Sequence, residues 1–287
     1  MGRMLILSMR CDNDTGVYQS GTDKGEVMYA ETKPILFNCP KEFDTVELYP
    51  VHDLHYGNEC FNLSKWNRLR NLIMAEPNRM VVWVGDLLEN AIPNSHSSVF
   101  DQMYSPQEQK EYITAIFKEF KHRTIAILDG NHELNRSTRM AGLYPLYDCA
   151  CIAGIPERYR TAYAVLDIGV GSQAHHDKGK QMRYAGFATH KAKNLKNFGS
   201  VDALEGFDFF LSGHDHEATD HPRGKLVYNA QKRTVSFKSV ECVNCGSFLS
   251  YGGYGAQAGY RPKSDKMYKL VLHSGREKQI ETVGFYL

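Results

Sequence analysis

Several absences narrow this chain before any motif is read. No stretch approaches the ~20 apolar residues needed to span a bilayer. The N-terminal run Met4-Leu5-Ile6-Leu7 is too short for a secretion signal, and no small-residue cleavage site follows it. The expectation is a soluble, cytoplasmic protein with no membrane partner. Cysteine is present in an odd number, at positions 11, 39, 60, 149, 151, 242 and 245, which argues against a disulfide framework. Cys242 and Cys245 form a single C-x-x-C with only His273 nearby, so they read as reduced thiols, as do Cys149 and Cys151. Charge of one sign is lacking too: Lys+Arg 34 against Asp+Glu 33 leaves a formal net charge of +1. The overall balance demands no polyanionic partner, although local patches stay open. There is no internal repeat and no low-complexity segment.

With 287 residues, 42% of them apolar, the chain has enough to build one large core. Residues 1–45 read as a strand-rich N-terminal extension packed on a main domain of residues 46–287. In that domain Thr45–Val51 is a strand, with Pro50 an awkward member. A helix follows, capped by Ser64, with Trp66, Leu69 and Ile73 on one face and Pro77 past its end. Met80–Val84 is a buried-type strand. Ser105-Pro106-Gln107-Glu108 is a capping box opening a helix whose apolar stripe is Tyr112, Ile113, Ile116, Phe117 and Phe120. Further strands are expected at 123–128, 163–168, 183–188 and 207–211, and from about Lys225 onward. Strand–helix alternation implies a layered α/β domain.

The chemistry sits at the strand ends. Asp53-Leu54-His55, Gly85-Asp86, Gly130-Asn131-His132-Glu133, Thr189-His190 and Gly213-His214-Asp215-His216 each follow an apolar run. Ligands of open α/β sheets collect past strand C-termini, and glycine allows the sharp turn that aims the next side chain into a shared cleft. Oxygen and imidazole donors without thiolate suit Mn, Fe, Zn or Co. Asp53 and His55, and likewise His214 and His216, sit two apart, so an extended segment would present each pair on one side. Seven such donors exceed one ion's needs and suit two, roughly 3.5–4 Å apart around a bridging carboxylate.

The five blocks in this order resemble the calcineurin-like metallophosphoesterase superfamily, in its bacterial and phage form. The resemblance implies a four-layer αββα sandwich of two mixed β-sheets flanked by helices. It implies two divalent cations, Mn first, with Fe, Zn, Co or Ni as alternatives. Asp53, His55 and His216 would hold one ion, Asn131, His190 and His214 the other, and Asp86 would bridge. His132 would face the substrate and donate to the leaving oxygen, its ring oriented by the Glu89 carboxylate and favoured in the protonated form. The implied activity is hydrolysis of a phosphate ester by in-line attack of a metal-bridging hydroxide. A phosphodiester, including nucleic acid or a nucleotide, is the leading substrate class. A phosphomonoester is the alternative, and an inactive binding protein on the same scaffold a third.

One departure bears on substrate. Protein phosphatases of this superfamily carry Gly-Asp-x-x-Asp-Arg-Gly, whose Arg grips phosphate; here Gly85-Asp86-Leu87-Leu88-Glu89-Asn90 puts Asn90 at the Arg position. Asn90, Gly57 and Tyr254 are the candidate substrate contacts. Lys178, Lys180, Arg183, Lys191, Lys193 and Lys196 flank His190 and either attract a nucleic-acid backbone or form a solvated face. The Gly/Tyr stretch 251–261 either stacks bases or is a long surface turn. His52, His175, His176 and His221 belong to no block and read as surface or supporting residues.

Overall fold

A computed structural model describes residues 33–93, 95, 98–172, 174, 182–191 and 204–287. Of the expected N-terminal extension, residues 1–32 lie outside the described residues. So do His175, His176, Lys178, Lys180, Lys193 and Lys196, and the side chain of Tyr254.

Among the described residues, thirteen strands run in chain order. They are β1 (Ile35–Asn38), β2 (Thr45–Val51), β3 (Arg79–Val84), β4 (Thr124–Leu128), β5 (Tyr159–Arg160), β6 (Tyr163–Val170), β7 (Met182–Thr189), β8 (Phe209–Ser212), β9 (Thr219–Asp220), β10 (Arg223–Asn229), β11 (Thr234–Asn244), β12 (Met267–His273) and β13 (Ile280–Phe285). The main helices are α1 (Leu63–Ala75), α2 (Pro106–Glu119) and α3 (Pro145–Ala153). The strands form two mixed sheets. One is six-stranded, in the order β13-β12-β2-β3-β4-β5; the other is seven-stranded, in the order β1-β6-β7-β8-β11-β10 with β9 paired to β11. This is the α/β sandwich of two mixed sheets that the sequence implies.

Strand alternation divides the core. Tyr49, Val51, Val81 and Trp83 point to one face of the six-stranded sheet, where Trp66, Leu69 and Ile73 of α1 meet Ile113, Ile116 and Phe117 of α2 and Leu146, Cys149 and Ala150 of α3. Val46, Leu48, Met80, Val82 and Val84 point to the other face, against Ala164, Leu166, Ile168, Tyr184, Phe209 and Leu211 of the second sheet. Each large apolar side chain buried this way contributes about 1.5–3 kcal/mol. Both indoles are satisfied: Trp66 Nε1 donates to the Tyr112 hydroxyl at 2.8 Å and Trp83 Nε1 to Thr124 Oγ1 at 2.9 Å.

Local signals explain the element ends. The Ser105–Glu108 capping box forms as expected. The cap of α1 is Asn62, not Ser64: its side chain accepts the Lys65 N–H at 2.9 Å, and the helix starts at Leu63. Pro50 is tolerated because β12 pairs only with Thr45–Leu48, so the missing N–H falls beyond that ladder. α3 was not foreseen; Pro at its first turn and left-handed Gly154 past its end are its punctuation. The expected loop at 251–261 contains a helical turn, Gly253–Gln257.

The strands β2, β3 and β4 run parallel, as do β7, β8 and the end of β11. Their C-terminal ends bring the five polar turns to one edge of the sandwich. The described cysteines form no disulfide; Cys245 Sγ lies 2.9 Å from the Tyr268 carbonyl, and burial pushes its thiol up to about 12.

Candidate metal centre

The turn after β3 is shaped by a mutual close approach. A Cβ on Gly85, whose φ is +81°, would stand 2.5 Å from the Gly130 nitrogen, and a Cβ on Gly130 would strike the Asp86 carboxylate. Only glycine fits at either position. Glu133, fully buried, locks the two turns together. Its carboxylate accepts the N–H of Asp86 (3.0 Å), Leu87 (2.9 Å), Leu88 (3.0 Å) and Gly130 (2.8 Å). Asp86 Oδ1 in turn accepts the His132 N–H at 2.8 Å.

Asp53, His55, Asp86, Asn90, His214 and His216 all have φ between +48° and +77°. The expectation of extended Asp-x-His and His-x-His segments is therefore wrong: each member adopts the left-handed region. Such residues carry roughly 1–3 kcal/mol of strain each and gather where function over-determines the backbone. Part of the hold is a ladder between turns, in which Asp53 N–H bonds to Gly85 O, His55 N–H to Asp86 O and Tyr56 N–H to Leu87 O.

Among the described residues three donor groups form; one joins His55 to Glu89 and His132, and the other two gather the expected ligands. In the first of these two, His55 Nε2 and His216 Nε2 are 3.1 Å apart, with Asp53 Oδ1 at 3.7 and 3.4 Å from them. In the second, His190 Nε2 lies 3.2 Å from Asp86 Oδ2 and 3.2 Å from Asn131 Oδ1, and His214 joins Asp86 and His190 within metal-ligand reach. His190 Nε2 is also 3.9 Å from Asp53 Oδ1, so the groups adjoin. All seven residues expected as ligands converge on one pocket.

The donor set fits cations. Asp53 is fully buried, yet its Oδ1 has no hydrogen-bond partner while facing three imidazoles. Its other oxygen is used by His52 Nδ1 at 2.7 Å and His214 N–H at 2.8 Å. His190 Nδ1 donates to the Val84 carbonyl at 2.7 Å, which leaves Nε2 as the nitrogen aimed at Asp86 and Asn131. Titration agrees. Burial opposes ionisation of Asp53 and Asp86, but the imidazoles of His216 around Asp53, and of His132 and His190 around Asp86, hold both carboxyls well below the usual range. Burial also opposes charge on His55 and His190, yet neighbouring carboxylates lift them to about 10 and about 9. The pocket calls for positive charge, which protons supply when no cation does.

His52 has a definite supporting role. The Cys245 backbone N–H donates to its Nε2 at 2.9 Å, so Nδ1 carries the hydrogen and donates to Asp53. A fixed tautomer holding a donor carboxylate is the usual outer support of a metal ligand.

His132 departs from expectation. Its Nδ1 donates to the Glu89 backbone carbonyl at 2.9 Å, while the Glu89 carboxylate is 3.8 Å away and does not orient it. That carboxylate instead meets Arg136 (3.1 Å), Asn58 (3.1 Å) and His55 (3.3 Å). Burial pulls His132 down to about 4, so it is neutral rather than protonated near pH 7. Its Nε2 accepts a hydrogen bond from Arg136 Nη2 at 3.0 Å. Arg136, which sequence reading passed over, is carried by a π-helical turn, His132–Thr138, that starts directly after the Gly130-Asn131 turn. Single π-turns favour functional sites.

The substrate candidates fare differently. Asn90 is buried, and its amide donates to the His132 carbonyl (3.2 Å) and Ser137 Oγ (2.7 Å), so it braces the π-turn. Gly57 is glycine because the Gln109 side chain occupies the space of a Cβ.

Comparison with known proteins gives little beyond this. No protein-family model and no curated protein matches the sequence. Among solved structures the chain is similar to the Pseudomonas putida nuclease MPE at 14% identity and a TM-score of 0.36, over 82% of this chain and 87% of that one. It is similar to Chaetomium thermophilum Vps29 at 10% identity and a TM-score of 0.32, over 84% of this chain and 98% of that one.

Proposed function

We propose that this protein is a dinuclear-metal-dependent phosphoesterase acting on phosphodiesters. One observation carries the reading: seven O and N donors from five strand ends meet in one buried pocket, where Asp53 Oδ1 faces three imidazoles with no hydrogen-bond partner. The resemblance read from the five motifs supports the reaction class.

Asp53, His55 and His216 would hold one cation and Asn131, His190 and His214 the other, with Asp86 between them. The cations, when bound, supply Lewis-acid polarisation of the phosphoryl group and acidify water. The chain's own residues do the rest. His52 fixes the Asp53 carboxylate, and Glu133 fixes Asp86 through its backbone. His132, neutral and anchored on the Glu89 carbonyl, aims the Arg136 guanidinium toward the cleft. Arg136 is thus the cationic donor placed to meet phosphoryl oxygens, the task that Asn90 cannot perform. Glu89 holds Arg136 from the other side, so the donor is positioned before substrate arrives.

The test pairs metal analysis with turnover. Asp86→Ala should lose bound Mn and activity together, while His132→Ala should keep both metals and lose rate. Cleavage of bis-p-nitrophenyl phosphate should exceed that of p-nitrophenyl phosphate. Normal rates in a metal-replete Asp86→Ala enzyme would defeat the assignment, and the reverse chromogenic preference would replace diester by monoester.

A further inference from the structure

β10 and β11 pair antiparallel from Arg223↔Val240 to Asn229↔Thr234. β8 pairs only with Glu241–Asn244 of β11, and β9 only with Val243–Asn244. The outer part of the hairpin is therefore a two-stranded ribbon standing clear of the sheet. Its register places Leu226 opposite Phe237 and Tyr228 opposite Val235, all on one face. These side chains are 77%, 72%, 64% and 65% exposed. A contiguous apolar face of this kind on an isolated ribbon marks an interaction site.

Charge selects the partner. Residues 221–240 contain Arg223, Lys225, Lys232, Arg233 and Lys238 and no Asp or Glu. At the base, Lys238 pairs with Asp208 at 3.0 Å and Lys225 reaches the Leu204 carbonyl at 3.2 Å. Lys232 and Arg233 sit in the exposed turn at the tip. A two-fold contact between ribbons would set the same cations against each other. Cations combined with exposed aromatic rings suit a phosphate polymer, whose backbone meets the former and whose bases stack on the latter.

We propose that the β10–β11 ribbon is a nucleic-acid docking arm, contacting phosphates through Lys232 and Arg233 and bases through Tyr228 and Phe237. The proposal rests on the phosphoesterase reading for its choice of a phosphate polymer over other polyanions. β11 runs from the tip to Asn244 and Cys245, beside the metal pocket. At about 3.3 Å per residue the tip at Arg233 lies roughly 35 Å along the strand from Asn244. A mononucleotide cannot touch both; a strand of ten or more nucleotides can.

The test is fluorescence anisotropy of labelled 30-nucleotide and 6-nucleotide DNA with the full chain in EDTA, where binding is read without cleavage. Tyr228→Ser/Phe237→Ser and Lys232→Glu/Arg233→Glu should each weaken the 30-mer at least tenfold. The second pair should also lower the salt slope by about two. Bis-p-nitrophenyl phosphate turnover should stay unchanged. Undiminished 30-mer binding in both variants overturns the proposal. It also falls if the variants instead convert a dimer to monomer in sedimentation, or lose only binding to phosphatidylserine vesicles. Normal DNA binding by a protein that takes up no metal would sink the phosphoesterase reading and leave the arm standing.

Discussion

Glu133 accepts the backbone N–H of Asp86 at 3.0 Å, although 47 residues separate the two, and this bond sets where the Asp86 side chain points. Each Glu133 oxygen serves two buried amides: Oε1 those of Leu87 and Leu88, Oε2 those of Asp86 and Gly130. Glu133→Gln keeps the shape but turns one oxygen into a donor, so two N–H groups lose their acceptor whichever way the amide lies. At ~1–2 kcal/mol for each orphaned N–H, the variant should lose about 2–4 kcal/mol. Urea unfolding of the metal-free protein, followed by circular dichroism, measures this. A change below about 0.5 kcal/mol would show that these bonds do not hold the turn.

Metal uptake should release protons. His55 and His190 are lifted to about 10 and about 9, so in the metal-free protein both are protonated at pH 7. An imidazole must shed the proton from the nitrogen that takes the metal. Loading both ions at pH 7 should therefore expel roughly two protons. Apparent affinity should rise as pH increases toward 9 and level off above about 10, once both rings are neutral. Titration calorimetry in buffers of different ionisation enthalpy reads the count directly. Heats that do not depend on the buffer would contradict the charge state argued for the pocket.

The sequence was informative where a signal is local. Strand β3 and the capping box of α2 are written in adjacent residues, and the five polar turns stand out because each follows an apolar run. What escaped was set by contacts distant along the chain. The tautomer of His52 is fixed by the amide of Cys245, and Asn90 is occupied by Ser137 across the π-turn. The same holds for His132. Its neighbour in the motif suggested a carboxylate partner, but the Glu89 side chain turns toward Arg136 and Asn58 and stands 3.8 Å from the ring, while its carbonyl takes the Nδ1 hydrogen at 2.9 Å. Left-handed φ at Asp53, His55, His214 and His216 was equally hidden, because nothing in an Asp-x-His or His-x-His spacing distinguishes an extended segment from a strained one.

Arg136 gives the sharpest check on how the pocket recognises its substrate. The guanidinium bonds Glu89 on one side and His132 Nε2 on the other, so removing it frees two side chains without touching a proposed metal ligand. A charge-assisted hydrogen bond is worth about 1.5–3 kcal/mol. Arg136→Ala should then lower kcat/KM roughly 10- to 100-fold, chiefly through KM if the contact already exists in the bound ground state. Arg136→Lys should recover part of the loss, because charge returns without the planar fork. Bound Mn should be the same in all three proteins, and inhibition by inorganic phosphate should weaken in parallel with KM. A merely structural role predicts instead a lowered unfolding midpoint with phosphate inhibition intact, and that outcome would leave the phosphoryl oxygens to the cations alone.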